Sequence, residues 1–325
     1  MIARLARALE RPAVRSLVPL AVVLTLGCIF HREGAFFEWQ THRAMLREIS
    51  VHGILACGMT VVILTAGIDL AVGSVLALGA VAFATFLLPL GWSAPLAVFA
   101  VLAIGIAAGL GSGALVARYR LQPFIATLAM MVFARGLAKH LAGGRKVTTY
   151  LADGRSVEIP PIFSAIDSRV LGENLSIVTL VFLACVALTW VILERLRVGR
   201  YILAVGGNFE AARLAGVPVT PTLLFAYAYS GLMAAVAAIC QAAQETHGDP
   251  ETGLGYELDA IAIVVLGGTS LMGGRGGVGL TVVGALTLGY LQKVLSLNAF
   301  STEVRMMMTG VIVVAAVLFQ QRRER

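Results

Sequence analysis

A chain of 325 residues in which 58% are hydrophobic and 13% charged carries about half the roughly 25% charged share of an ordinary soluble domain, so water is excluded as its sole solvent. The net charge of +7 accompanies a mean hydropathy of +0.88, which points to basic loops beside membrane segments rather than to nucleic-acid binding. Cys28, Cys57, Cys185 and Cys240 stand far apart in apolar runs, so small buried side chains are expected and a metal or redox centre is not.

A helix crosses the hydrocarbon with about 20 largely apolar residues. Arg4, Arg7, Arg11 and Arg15 precede the apolar run Ser16 to Phe30. This resembles a secretory signal, with Gly27-Cys28 faintly like a lipoprotein cleavage site, but further apolar spans follow and an uncleaved first helix is expected. Glu38 to Arg47 is amphipathic, and Phe36, Phe37 and Trp39 suit an interfacial helix. Spans are then expected at Ile49 to Ile68, Leu70 to Leu90, Ala94 to Ala117 and Leu121 to Leu141. Arg135 and Lys139, near the end of the last of these, are expected to snorkel outward. Ala142 to Asn174 is polar, contains Pro160-Pro161, and reads as a docking rim. The remaining expected spans are Leu175 to Leu193, Pro221 to Ala242, Ala260 to Met272, Val278 to Leu295 and Met306 to Gln320.

The expectation is therefore a single all-α domain over 1–325, a polytopic transmembrane helical bundle of about ten spans in two pseudo-repeated halves. Ten spans put both termini on one side. The segments on that side hold roughly 14 Lys/Arg against about 5 Asp/Glu, the opposite segments roughly 11 against about 13, which assigns both termini to the cytoplasm. The glycine-rich blocks around Gly67–Gly73 and Gly267–Gly277 occupy comparable places in the two halves, as paired interruptions of a duplicated transporter would.

Glu194 to Thr220 is a loop on the terminal side with its own short helix. Asn208 reads as an N-cap, Phe209 to Ala215 as two turns, Gly216 as the left-handed residue after them, and Pro218 as the stop. Glu210 in the first turn and Arg213 near the end suit the helix dipole. Ala211, Ala212 and Ala215 leave a slim face that fits either a partner's groove or a plain connector.

Three blocks carry a family resemblance. The loop segment from Gly199-Arg200-Tyr201 through Val205-Gly206-Gly207-Asn208 to Glu210-Ala211-Ala212-Arg213-Leu214-Ala215-Gly216-Val217, the stretch Thr65-Ala66-Gly67-Ile68-Asp69-Leu70-Ala71-Val72-Gly73-Ser74, and Gly255-Tyr256-Glu257-Leu258-Asp259-Ala260 followed by Val265 to Gly276 resemble ribose-type sugar permeases of ATP-binding cassette importers. Ala71 stands where that family usually has serine. The resemblance runs from about Arg43 onward and implies a non-enzymatic transport subunit of the bacterial inner membrane. It further implies a second permease copy, a cassette ATPase subunit and a periplasmic sugar-binding protein as partners. Asn208, Phe209, Glu210, Ala211, Ala212, Arg213 and Gly216 would then form the helix that couples to the ATPase. No cofactor is expected on the chain itself: it has no G-x-x-x-x-G-K-[ST], so ATP and Mg²⁺ would be used by the partner.

Candidates for the translocation path are Asp69, Ser74, Glu257, Asp259, Gly268, Thr269 and Ser270. A carboxylate near a membrane segment is costly and often functional, but the favoured reading of Asp69 is a helix N-cap at the inner face, between the second and third spans. Glu257 and Asp259 suit sugar hydroxyls or a solvated boundary at the outer entrance of their span. His31, His42, His52, His140 and His247 form no ligand pattern. The alternatives are an ion-coupled secondary transporter, with Asp69 as the ion site, and an integral-membrane enzyme.

Overall fold

The computed structural model describes residues 12–150, 154 and 156–311. Arg4, Arg7 and Arg11 and most of the span expected at 306–320 lie outside the described residues. The elements are α1 (Pro12–Ile29), a 3-10 turn (Ala35–Phe37), α2 (Trp39–Leu64), α3 (Val72–Leu87), α4 (Ala94–Ala117), α5 (Pro123–Leu141), α6 (Pro161–Asp167) and a two-stranded antiparallel ribbon of β1 (Arg169–Val170) and β2 (Leu175–Ser176). They continue with α7 (Ile177–Glu194), α8 (Arg197–Gly207), α9 (Phe209–Leu214), α10 (Val219–Glu245), α11 (Tyr256–Leu266) and α12 (Val278–Leu297).

Among the described residues six helices, α2, α4, α5, α7, α10 and α12, are long and apolar enough to cross a bilayer, and α1 and α3 are shorter apolar helices. The fold is the expected all-α bundle, with three corrections to its elements. The amphipathic stretch 38–47 is no separate interfacial helix: it supplies the opening turns of α2, which starts at Trp39. The span expected at Leu70 to Leu90 shortens to the 16 residues of α3. The span expected at Ala260 to Met272 is the 11-residue α11, about 16 Å long at 1.5 Å per residue.

The core lies where α10 meets α2, α3 and α4. Lipid tails are as apolar as leucine, so helices embedded in them gain from close approach rather than from the hydrophobic effect. The sequence provides for that approach with Gly105, Gly109 and Gly113, four apart on one face of α4. A Cβ on Gly105 would lie 2.3 Å from the Gly231 carbonyl, and one on Gly109 would lie 2.2 Å from the Tyr227 carbonyl. Ala226, Ala234, Ala235, Ala237 and Ala238 keep the facing helix equally slim and fully buried.

The two longest helices, α2 with 26 residues and α10 with 27, are each followed by an extended break and then a shorter helix. The first break begins with Ala66 at φ 62 and the second with Thr246 at φ 57, both left-handed, a conformation that side chains with a Cβ adopt only when their surroundings hold them there. The interruption that answers residues 65–71 is therefore 246–255. The block 267–277, expected in that place, instead joins α11 to α12.

Contacts along α2 separate the two ends of the bundle. Near its start, Trp39 Nε1 donates to Asn174 and Arg47 pairs with Asp167, which places α6 and the β-ribbon at that end. At its finish, Leu64 meets α8 and the 267–277 loop. Twenty-six helical residues hold these ends about 39 Å apart.

Candidate functional site

The breaks meet inside the bundle. A Cβ on Gly73 would lie 2.2 Å from the Gly253 carbonyl and 2.6 Å from Glu257 Oε2, and one on Gly253 would lie 2.4 Å from the Gly73 carbonyl. The second break runs down α3, with Gly248 against Ala80 and Val81 and Gly253 against Gly73. By helical rise from Leu87 back to Gly73, α11 thus starts about 20 Å inside the long-loop end. Beside the crossing, Asp69 is 3% exposed. Its Oδ1 accepts from the Ala71 N–H at 2.9 Å and its Oδ2 from the Ser230 hydroxyl at 2.7 Å. One oxygen thus shapes the turn into α3 while the other ties the break to the middle of α10. The crevice between Asp69, Val75, Gly109, Ser112 and Gly231 is too tight to admit water.

Of the path candidates, the fold brings Asp69, Ser74 and Glu257 around Gly73, with Ser74 buried in the first turn of α3. Gly268, Thr269 and Ser270 lie elsewhere, in the tight loop after α11. Gly268 is left-handed at φ 96, Thr269 packs on Gly276, and the Ser270 N–H donates to the Arg275 carbonyl at 2.9 Å. Asp259 lies beside α2, its Oδ2 3.4 Å from His52 Nε2. The sequence reading missed Ser230, Gly253 and His52, each remote in the chain from the residue it meets.

At the opposite end of α2 from Trp39, backbone meets backbone. A Cβ on Gly206 would lie 1.8 Å from the Leu64 carbonyl, which accepts from the Gly274 N–H at 3.0 Å. Gly273 packs on Ala66 and on the Gly206 carbonyl, and Gly274 on Gly207. Three segments remote in the chain, the end of α2, the end of α8 and the 267–277 loop, close into one knot in which Gly206, Gly273 and Gly274 leave no room for a Cβ. The signal was on the page as Gly206-Gly207 and Gly273-Gly274; the partners were not.

Asn208 follows that knot directly and caps α9: its Oδ1 accepts from the Ala211 N–H at 2.9 Å. Glu210 and Arg213 pair at 2.7 Å across one turn. Gly216, at φ 78, closes the helix with its N–H donated to the Arg213 carbonyl. The slim alanine face is corrected by burial. Ala212 turns into the protein, 5% exposed, and is closed to any partner. The outward face holds Phe209, Glu210, Ala211, Arg213 and Leu214, the leucine 83% exposed.

The long-loop end is built from charged side chains. Lys139 pairs with Glu251 at 2.6 Å, Lys146 with Asp249 at 2.9 Å and Lys293 with Glu48 at 3.2 Å. Burial works against the Asp249 carboxylate, but the Glu251 N–H and the Lys146 ammonium outweigh it and hold its pKa below the ordinary aspartate range. Arg135 does not snorkel: it turns inward and donates to the carbonyls of Pro250 and Thr252 at 2.6 and 2.7 Å, clamping the second break.

A family model described as the permease component of a branched-chain amino acid transport system matches residues 43–317. The chain is 39% identical to the ribose import permease protein of Escherichia coli strain K12, over 97% of this chain and 94% of the relative. It is 38% identical to the galactofuranose transporter permease protein of the same strain, over 86% and 79%. It is 33% identical to the fructose import permease protein of Rhizobium meliloti, over 95% and 85%. No solved structure matches the chain.

Proposed function

This chain belongs to that family of transport-system permease components, and from this premise we propose that it carries a monosaccharide or a related sugar or polyol across the membrane. It is a multi-pass inner-membrane transport subunit and not an enzyme. ATP and Mg²⁺ are used by a cassette ATPase subunit, a periplasmic sugar-binding protein delivers cargo, and a second permease copy completes the gate. The observation that carries the reading is the backbone knot at Gly206. It joins the exposed helix α9 to the corner of the first break and to the loop below the second.

In this reading α9 is the coupling helix and its end of the bundle is cytoplasmic. Arg118, Arg120, Arg195, Arg197, Arg200 and Arg275 gather at that end, as basic residues do on the inner side. Pro12 begins α1 there too, since Asn298 and Arg32 bind the other end of α1 to that of α12. The loaded binding protein docks on the ion-paired rim. Closure of the ATPase on ATP then moves Phe209, Glu210, Arg213 and Leu214. That motion reaches Leu64 and Gly274 without slack, because nothing soft lies between the backbones. The two breaks shift against each other at Gly73 and Gly253, and access alternates from one side to the other.

An ion-coupled mechanism finds no support at Asp69, whose two oxygens are both engaged in a crevice without room for a hydrated ion. The test is reconstitution with the ATPase and binding protein, with Phe209→Asp and Leu214→Asp in the permease. Sugar-stimulated ATP hydrolysis and uptake are expected to fall together at least tenfold. Undiminished uptake in the double variant would sink the coupling assignment, and uptake driven by an ion gradient without ATP would sink the function.

A further inference from the structure

Below Glu48, α2 carries apolar, hydroxyl and thiol side chains with one exception. His52 sits one turn below the Lys293–Glu48 pair and about 18–20 Å from either end of the helix. Its Nε2 lies 3.4 Å from Asp259 Oδ2, and its ring lies 4.3 Å from that of Tyr256. None of the three is sealed in: the side chains of His52 and Asp259 are 15% and 21% exposed. Leu254 and Leu258 flank them, both exposed.

The other outward faces differ in kind. α4 and α7 present Phe99, Leu110, Leu183 and Leu188, and α5 presents Val132 and Phe133. Among the described residues, α4 and α7 have no charged side chain between their ends. Arg135 of α5 is turned inward and Lys139 sits at that helix's outer end. Those faces suit lipid. A carboxylate and an imidazole left partly exposed at membrane depth do not, and such groups mark a water-filled path.

Resting on the proposed function, we propose that the face shared by His52, Tyr256 and Asp259 is where the passing sugar touches this permease, and that the site takes a neutral polyhydroxylated ring. The chemistry is that of a diol: the carboxylate accepts from hydroxyls, the imidazole offers both a donor and an acceptor, and the phenol ring offers a surface to C–H groups. A zwitterionic amino acid would also need a free cation, whereas Lys293, one turn away, is engaged by Glu48, and Arg135 by the second break. His52 Nδ1 is buried without a hydrogen bond in this closed arrangement. A hydroxyl reaching it as the passage opens satisfies that nitrogen.

Two measurements on the reconstituted complex test this. Leu258→Cys, in a Cys28→Ser background, is expected to react with a charged, membrane-impermeant thiol reagent at least tenfold faster than Val132→Cys on α5. Equal rates overturn the inference. Asp259→Asn and His52→Gln are expected to lower the sugar carried per ATP hydrolysed at least fivefold. A purely structural role would reduce transport and hydrolysis in step, and an unchanged ratio in both variants overturns the inference while leaving the transport function standing. A wild-type complex that hydrolyses ATP and carries no sugar overturns the function and this inference together.

Discussion

The two ends of the bundle are held by opposite means. At the α9 end, Leu64, Gly206 and Gly274 touch backbone to backbone, and the ion pair there, Glu210–Arg213, lies within one helix. At the other end, Lys139–Glu251, Lys146–Asp249, Lys293–Glu48 and Arg47–Asp167 each tie separate elements through long side chains. Backbone contact has no rotamers to absorb a displacement, whereas ion pairs between flexible side chains give way and re-form, as the proposed docking of a partner requires. One end is rigid by its contacts and the other adjustable.

The sharpest way to break this comparison is a methyl group in the knot. Gly206→Ala places its Cβ 1.8 Å from the Leu64 carbonyl, and overpacking of that kind costs about 1–3 kcal/mol or more. Uptake by the reconstituted complex is expected to fall at least tenfold; wild-type uptake would mean the knot transmits nothing. Midway along the bundle, Asp69→Ala leaves the buried Ala71 N–H and the Ser230 hydroxyl without their acceptor. At about 1–3 kcal/mol for each, thermal unfolding in detergent should shift well below wild type, with Asp69→Asn falling between them.

Smaller effects sharpen the other end. Lys139→Ala is expected to cost about 0.2–1 kcal/mol, because both partners are about half exposed. The loss should shrink as salt is added, which denaturation at low and high ionic strength reads directly. The smallest effect is expected next to the most sensitive position: a Cβ on Gly207 meets nothing within 4 Å, so Gly207→Ala should transport like wild type. Equal damage at 206 and 207 would locate the sensitivity in helix α8 generally and not in its contact with Leu64.

Much of this was legible residue by residue. The Asn208 cap, the Glu210–Arg213 pair and the left-handed Gly216 follow from neighbours three or four positions apart, the range over which helix chemistry acts. Arg135 was misread because snorkelling follows from a helix and a membrane alone, whereas its true acceptors, Pro250 and Thr252, are 115 and 117 positions away. The second break was misplaced because Gly267–Gly277 is richer in glycine than 246–255, and composition ranks glycine without knowing what approaches it.

By itself the sequence determined the solvent, the helical class, the short capped helix α9 and the family, because apolar run length, capping and motif order are properties of contiguous chain. Only the tertiary structure decided that Asp69 holds Ser230, 161 positions on, that Gly73 rests on Gly253, that Gly206 abuts Leu64, and that His52 faces Asp259. Each depends on which helices pack side by side. In a bilayer that choice is made by the fit of small surfaces to one another, which no local pattern encodes.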